Sequence, residues 1–454
     1  VKYISSVKLF GIIALSFVGC AHVEPKTDSP KPIAFYIFIP HLCPGKSGEK
    51  AVRAQYREFL DHLGHASQYG SVGVALNYPY TAFLVGDRPN NFSPDRAKLK
   101  LYEINVRVAH EMGLPVMVGF NGGPWAEVSG PFNAYWKTVD GGSYLARYVD
   151  GQVNESVKDR GAIEAPKLKP YLGAKPYDNT QSANTLSLTL SPSAESLRKS
   201  RVAVLDLALH EWKQIDEKYP HTIQAFTTDS EVSDFSFRSL PSGDSLPIGY
   251  EGFMTKPYCR EYKINDCVHY FENHHFTYEN DEDRKWFYYR AQVHRQFVSD
   301  TVNHIRAQFP TTPIYTHQLG TLDNVLIEPY RKQDFASPLE TAFVPNAIPG
   351  ITAYIYGKRD QNFRTIIDQF SAKARDHEWA LTEFNPGKDW KGTRSELADY
   401  TREMIEFLAS RKVSAVALLA WNSNALDAGI KDSGVDDGIR KFLEQDEKHI
   451  AGRN

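Results

Sequence analysis

The sequence predicts an α/β protein, a (β/α)8 TIM barrel with long insertions after its third and fourth strands. Three observations carry that expectation. Apolar runs rich in β-branched and aromatic residues alternate with helical patterns, the pattern of parallel strands joined by helices. The alternation reaches a count of eight strands. Two of the runs, Ile223 to Glu231 and Trp379 to Asn385, bring a glutamate to the point where an apolar strand emerges into a loop. A chain of 454 residues exceeds one average domain, but barrels with insertions reach that size.

The first strand is expected over Ile33 to Pro40, followed by a helix over Arg53 to Ala66. The second covers Val72 to Asn77, and Ser93-Pro94 reads as a helix start with Pro at the first position. Gly113 stops that helix after Met112, and the third strand covers Pro115 to Asn121. Gly122 to Pro192 then forms a long insertion without sustained helical periodicity. A stretch that long belongs on the loop-bearing face of a barrel, as a wall of a binding cleft. A helix over Glu195 to Lys218 leads to the fourth strand, Thr222 to Asp229. A second insertion, Ser233 to Asn280, precedes a long amphipathic helix over Asp281 to Gln308, with Trp286, Tyr289, Val293, Phe297, Val302 and Ile305 as its inner stripe. The remaining strands are Pro313 to His317, Ile351 to Tyr356, Ala380 to Glu383 and Ala415 to Trp421. Thr393-Arg-Ser-Glu396 resembles a capping box, and Gly438 to Gln445 closes the ring.

Apolar residues make up 42% of the chain, enough for a large core, and the net charge of −3 argues against nucleic acid or a polyanion as an obligatory partner. The N-terminus reads as targeting. Lys2 and Lys8 precede an apolar run from Leu9 to Val18, too short to span a bilayer as a mature helix. Leu15-Ser-Phe-Val-Gly-Cys20 resembles a bacterial lipobox, which implies lipidation of Cys20 and an exported, outer-membrane lipoprotein. An ordinary cleaved signal peptide is the alternative. The expected organisation is therefore a signal peptide (1–20), a polar tether (21–31), the barrel (32–447) and a tail (448–454). Export permits a disulfide, and Cys259–Cys267 would close a short loop in the second insertion, leaving Cys43 a free thiol.

In a (β/α)8 barrel the reactive groups stand at the C-terminal ends of the strands. Those ends carry His41, Asn77 with Tyr78, Asn121 with Trp125, Asp229 with Glu231, His317, Tyr354, Glu383 with Asn385, and Trp421. Carboxylates, amides and flat rings are what sugar hydroxyls and the apolar faces of sugars require. Two carboxylates converging on one face of a closed sheet suit cleavage of a glycosidic bond.

Here the chain resembles the large clan of retaining glycoside hydrolases built on (β/α)8 barrels, with an acid/base Glu after the fourth strand and a nucleophilic Glu after the seventh. The resemblance implies that Glu231 protonates the leaving oxygen and then activates water, and that Glu383 attacks the anomeric carbon. It also implies Trp421 as the floor of the cleaved sugar's subsite and Asn121 with Trp125 as further contacts. Ser230 stands where the clan has Asn before the acid/base Glu. That leaves recognition of the sugar 2-hydroxyl unassigned and keeps Asp229 open as a second catalytic candidate.

A carbohydrate is the expected substrate, the membrane is engaged through a lipid anchor only, and no cofactor is expected. His269, Glu272, His274 and His275 match no zinc spacing, and Asp432, Asp436 and Asp437 read as a turn and helix start rather than a calcium site. No Ser–His–Asp elbow, phosphate-cradling loop or dinucleotide fingerprint occurs. The rival readings are a non-catalytic glycan-binding lipoprotein and a metal-dependent barrel hydrolase.

Overall fold

The computed structural model describes residues 32–39, 48–64, 66–122, 130–142, 155–158, 186–188, 190–191, 193–229, 252–274, 281–319, 339–353, 361–375, 377–387, 390–422 and 429–445. Its centre is a parallel barrel. The strands are β1 (Ile33–Phe38), β2 (Gly70–Tyr78), β3 (Val116–Phe120), β4 (Ile223–Thr228), β5, β6 (Gly350–Thr352), β7 (Trp379–Phe384) and β8 (Val413–Leu418). β5 consists of two short pieces, Ile314–Tyr315 and Gln318–Leu319. The first piece pairs with β4 and the second with β6. β8 pairs with β1, and the sheet is nearly closed, its two ends being the two pieces of β5.

Helices α1 (Glu49–Leu63), α2 (Arg96–Glu111), α3 (Pro131–Thr138), α4 (Glu195–Lys218), α5 (Gly252–Glu261), α6 (Cys267–Asn273), α7 (Asp281–Gln308), α8 (Gln361–Ala374), α9 (Arg394–Ala409) and α10 (Val435–Leu443) complete the described elements, with short 3-10 turns. Among the described residues no helix is long and apolar enough to cross a membrane.

Strand alternation divides the core into two layers. Along β2, Val72, Val74, Leu76 and Tyr78 face outward to the helices, whereas Ala75 faces the lumen. The lumen is filled by small residues from β2, β4, β7 and β8 (Ala75, Ala225, Ala380, Ala415, Ala417) set against Tyr36, Phe38, Met117 and Tyr315. Small opposite large is how a narrow barrel reaches close packing. The outer layer is larger and includes an aromatic nest in which Tyr78, Tyr102, Phe120 and Trp212 meet edge to face. Such pairs add about 0.5–1.5 kcal/mol each beyond burial.

Several local expectations are met by geometry. Thr393 and Glu396 form the reciprocal capping box that starts α9. Gly113 takes φ +67, the left-handed turn that stops α2. Other features correct the sequence reading. Ser93–Pro94 is not a helix start but pairs antiparallel with Leu84–Val85. Asp95 caps α2 instead, its side chain accepting from the N–H groups of Ala97 and Lys98. The first insertion contains α3 and an antiparallel pair, Glu155–Lys158 with Leu186–Leu188. In the second, Cys259 at the end of α5 and Cys267 at the start of α6 form the expected disulfide. Tyr258, Phe271 and Trp286 pack beneath it as a small separate core.

Candidate active site

β7 does not run in simple register. Leu381 pairs with Val416 and Phe384 with Leu418, three steps on β7 against two on β8. Leu381 and Phe384 both face the outer core, so the extra residue turns Glu383 away from the face that strict alternation would give it. A bulge of this kind re-aims one side chain at the rim of a barrel. The Glu383 side chain is 18% exposed, and its Oε2 lies 3.2 Å from His317 Nε2. An ionised carboxylate only accepts, so Nε2–H of His317 donates.

His317 is placed by a break in β5. At Thr316 the strand leaves the ladder, and the Thr316 hydroxyl bonds the carbonyls of Ala342 at 2.9 Å and Gly350 at 3.1 Å. The Gly350 N–H donates back to the same hydroxyl at 2.7 Å. Gly350 must be glycine here, since a Cβ would stand 2.2 Å from the Thr316 carbonyl oxygen. Thr316 keeps one main-chain bond, its N–H donating to the Ile348 carbonyl at 3.0 Å, and its side chain adds the others while His317 projects into the mouth of the barrel.

His317 lines a cleft of about 310 Å³ of empty space together with Phe38, Asn77, Gly119, Asn121, Thr227 and Thr228. Phe38, Asn77, Gly119 and Thr227 come from β1 to β4, and His317 from the break in β5. The lumen beneath is neutral: burial pushes the Tyr36 phenol well up, with Tyr315 adding to the effect, and burial likewise raises Tyr315. Among the described residues the cleft lining offers amides, hydroxyls and the His317 imidazole over an uncharged floor, with the Glu383 carboxylate beside that imidazole.

Of the residues singled out from sequence, Asn77, Asn121, His317 and Glu383 are brought together at this mouth. His41, Trp125, Glu231, Tyr354 and Cys20 lie outside the described residues. Four expectations are corrected. Tyr78 is fully buried in the aromatic nest on the helix side of the sheet, because its neighbour Asn77 takes the lumen parity. Trp421 is fully buried as well. It lies three residues past the end of β8, packs edge-on against Phe59 at 4.6 Å, and donates from Nε1 to Glu58 at 3.1 Å. It supports α1 and is not part of the described lining of the cleft. Asn385 is buried and ties its own turn to the segment after β8: Nδ2 donates to the Leu419 carbonyl, and Oδ1 accepts from Gly387 N–H.

Asp229 is the fourth. It is fully buried, and its carboxylate accepts from Gly122 N–H at 2.9 Å, Arg201 at 3.0 Å, Tyr80 at 3.3 Å and the Thr301 hydroxyl. A carboxylate so enclosed has no face for a substrate, so it is not a catalytic group. Phe38, Gly119 and Thr227 were missed by a reading confined to strand ends. Counting back by two from Asn121 and Asp229 finds the latter two, since residues of one parity share the lumen.

Among the described residues, His62, Asp432 and Asp436 could gather around a cation. Asp436 is already engaged, by the N–H groups of Asp432 and Gly434 and by His62, with Arg394 at 3.8 Å. His274 of the other histidine cluster faces Asp283.

No family model matches this sequence, and no curated protein matches it either. Solved structures do. The β-galactosidase of Bacillus circulans sp. alkalophilus superposes with a TM-score of 0.52 at 9% identity, over 91% of this chain and 56% of that one. The β-galactosidase of Rahnella sp. R3 gives 0.52 at 10% identity, over 92% and 56%. The chain thus spans little more than half the length of these enzymes. What it shares with them is the (β/α)8 fold.

Proposed function

We propose that this chain is a glycoside hydrolase acting by a retaining, double-displacement mechanism, with Glu383 as nucleophile and Glu231 as acid/base. The observation that carries the reading is the pairing of His317 with Glu383 at the mouth of the barrel. A carboxylate turned into the cleft by a bulge and held by an imidazole donor is oriented for attack on an anomeric carbon. Asn77 and Asn121 supply the donors and acceptors that sugar hydroxyls need. The fold shared with two β-galactosidases supports the reaction class, although it does not by itself determine function. In the first step the Glu383 carboxylate bonds to the anomeric carbon. The C–O bond breaks toward the leaving oxygen, which takes the proton of Glu231. Water activated by Glu231 then releases the sugar.

We further propose export as a lipoprotein, on the strength of Lys2, Lys8, the run from Leu9 to Val18, and Cys20. A polymeric or oligomeric glycan then reaches the site from outside the cell.

The test is hydrolysis of a panel of polysaccharides and 4-nitrophenyl glycosides by the wild type, Glu231→Gln and Glu383→Gln. Products from the wild type, lost in both folded variants, support the reading. A glycan bound but cut by none of the three favours a binding protein. Activity abolished by a chelator and kept in both variants favours a metal-dependent hydrolase.

A further inference from the structure

Asn77, Gly119 and Thr227 occupy one rung of the barrel, on three neighbouring strands. Asn77 of β2 pairs with Gly119 of β3, and Gly119 pairs with Thr227 of β4. One rung lower the sizes are reversed: Met117 of β3 stands between Ala75 and Ala225 and fills the lumen. A glycine inside a strand packs nothing of its own and often marks the close approach of another group. Here that group is the Thr227 hydroxyl. A Cβ on Gly119 would stand 2.8 Å from Thr227 Oγ1 and 3.7 Å from Asn77 Oδ1. The missing side chain therefore leaves room for the hydroxyl to lie over β3, with the Asn77 amide on the far side. All three residues line the same cleft as His317.

We propose that Thr227 and Asn77 together read one hydroxyl group of the sugar this chain cleaves, in a notch that Gly119 opens. The inference rests on the proposed function and names the substrate group that this part of the site selects. Asn77 is exposed near the end of β2, and Thr227 is buried two strands away. The described hydrogen bonds of both residues are made by their main chains, including the one from the Tyr102 hydroxyl to the Asn77 carbonyl. An amide and a hydroxyl are left to serve the cleft. Each can donate and accept, which matches a neutral hydroxyl rather than a charged group. His317 is the one ionisable residue in the described lining, and its Nε2 is engaged by Glu383.

The consequence is a coupling between two side chains and one position of the substrate. Removing one partner of a buried hydrogen bond strands the other, whereas replacing both by apolar groups of the same shape is nearly neutral. Val has the shape of Thr. Thr227→Val should therefore slow a sugar that carries the hydroxyl and spare the sugar that lacks it. A general defect of the fold would slow both alike.

The experiment measures kcat/KM on the 2,4-dinitrophenyl glycoside of the sugar the wild type cleaves fastest and on its monodeoxy series, each member lacking one hydroxyl. Dinitrophenolate departs as a stable anion, so the comparison does not depend on proton donation. Wild type, Thr227→Val, Asn77→Ala and Thr227→Ser are compared, and the intrinsic reactivity of each deoxy sugar cancels in the ratio of variant to wild type. Thr227→Val and Asn77→Ala are each expected to lose on the order of tenfold on the parent glycoside. Each should lose less than about twofold on one deoxy sugar, the same one for both, and Thr227→Ser should keep the wild-type pattern. Equal losses across the series, coupling of the two variants to different positions, or no loss on the parent overturn the inference and leave the proposed function in place. Asn77→Ala alters an exposed residue, so it decides alone if Thr227→Val does not fold. A wild type that cleaves no glycoside removes the proposed function, and this inference with it.

Discussion

His317 Nε2 stands 3.2 Å from Glu383 Oε2, and two independent irregularities of the barrel put them there. A break in β5 frees His317 from the ladder, and an extra residue in β7 turns Glu383 toward it. A hydrogen bond to a charged group contributes about 1.5–3 kcal/mol. If that bond orients the nucleophile, His317→Ala should lower kcat/KM by about 10- to 100-fold, with little change in melting temperature. Steady-state kinetics alongside a thermal melt check both halves. A large fall in melting temperature would mark His317 as structural.

Trp421 behaves oppositely in this account. It is buried against Phe59 and bonded to Glu58, which Lys431 also engages. Trp421→Ala should destabilise by about 3–5 kcal/mol, the usual cost of emptying a large aromatic site. Trp421→Phe should fold with KM near the wild-type value. Urea unfolding and KM together distinguish this from a sugar platform, for which KM would rise while stability held.

Acid stability should depend on Asp436. Burial pushes its carboxyl up, but the N–H groups of Asp432 and Gly434 and the His62 ring outweigh that and hold it below the usual range. A depressed folded pKa contributes stability that is full above the unfolded value, about 3.9. That contribution is lost as pH falls through the folded value. Asp436→Asn should therefore lower the urea midpoint at pH 7, and the gap from wild type should narrow below about pH 4. A gap constant between pH 7 and pH 3 would contradict the assignment.

How far the sequence could be read shows in these residues. Apolar runs and their alternation with helical patterns placed every strand of the barrel, and the strand-end position of Glu383 needed no structure. The bulge that aims it left no mark, because an inserted residue within Leu381 to Phe384 changes pairing rather than composition. Tyr78 and Asn77 were separable by parity, which a reading by strand ends discards. Trp421 was misplaced because the apolar run after Leu418 continues into a turn packed on α1, and hydrophobicity does not distinguish a strand from a buried turn. Asp229 has the appearance of a catalytic carboxylate in sequence, and only the approach of Arg201 from α4 reveals its other use.

The Cys259–Cys267 bridge lies within the α5–α6 insertion, outside the described lining of the cleft. Closing so short a loop contributes about 2.5 kcal/mol by the chain-entropy relation. Reductant, or the Cys259→Ser/Cys267→Ser double variant, should lower the melting temperature or expose α5 and α6 to protease. The dinitrophenyl-glycoside activity of the surviving fold should stay near wild type. Activity lost in step with the bridge would place the insertion in the site.

The most direct test of the central claim is to label the nucleophile. A 2-deoxy-2-fluoro glycoside carrying a good leaving group, built on the sugar the wild type cleaves fastest, should inactivate the enzyme with time. Peptide mass spectrometry should then find the fluorosugar on Glu383. A label on another carboxylate, or hydrolysis of the natural linkage with inversion and no labelled peptide, would contradict the account.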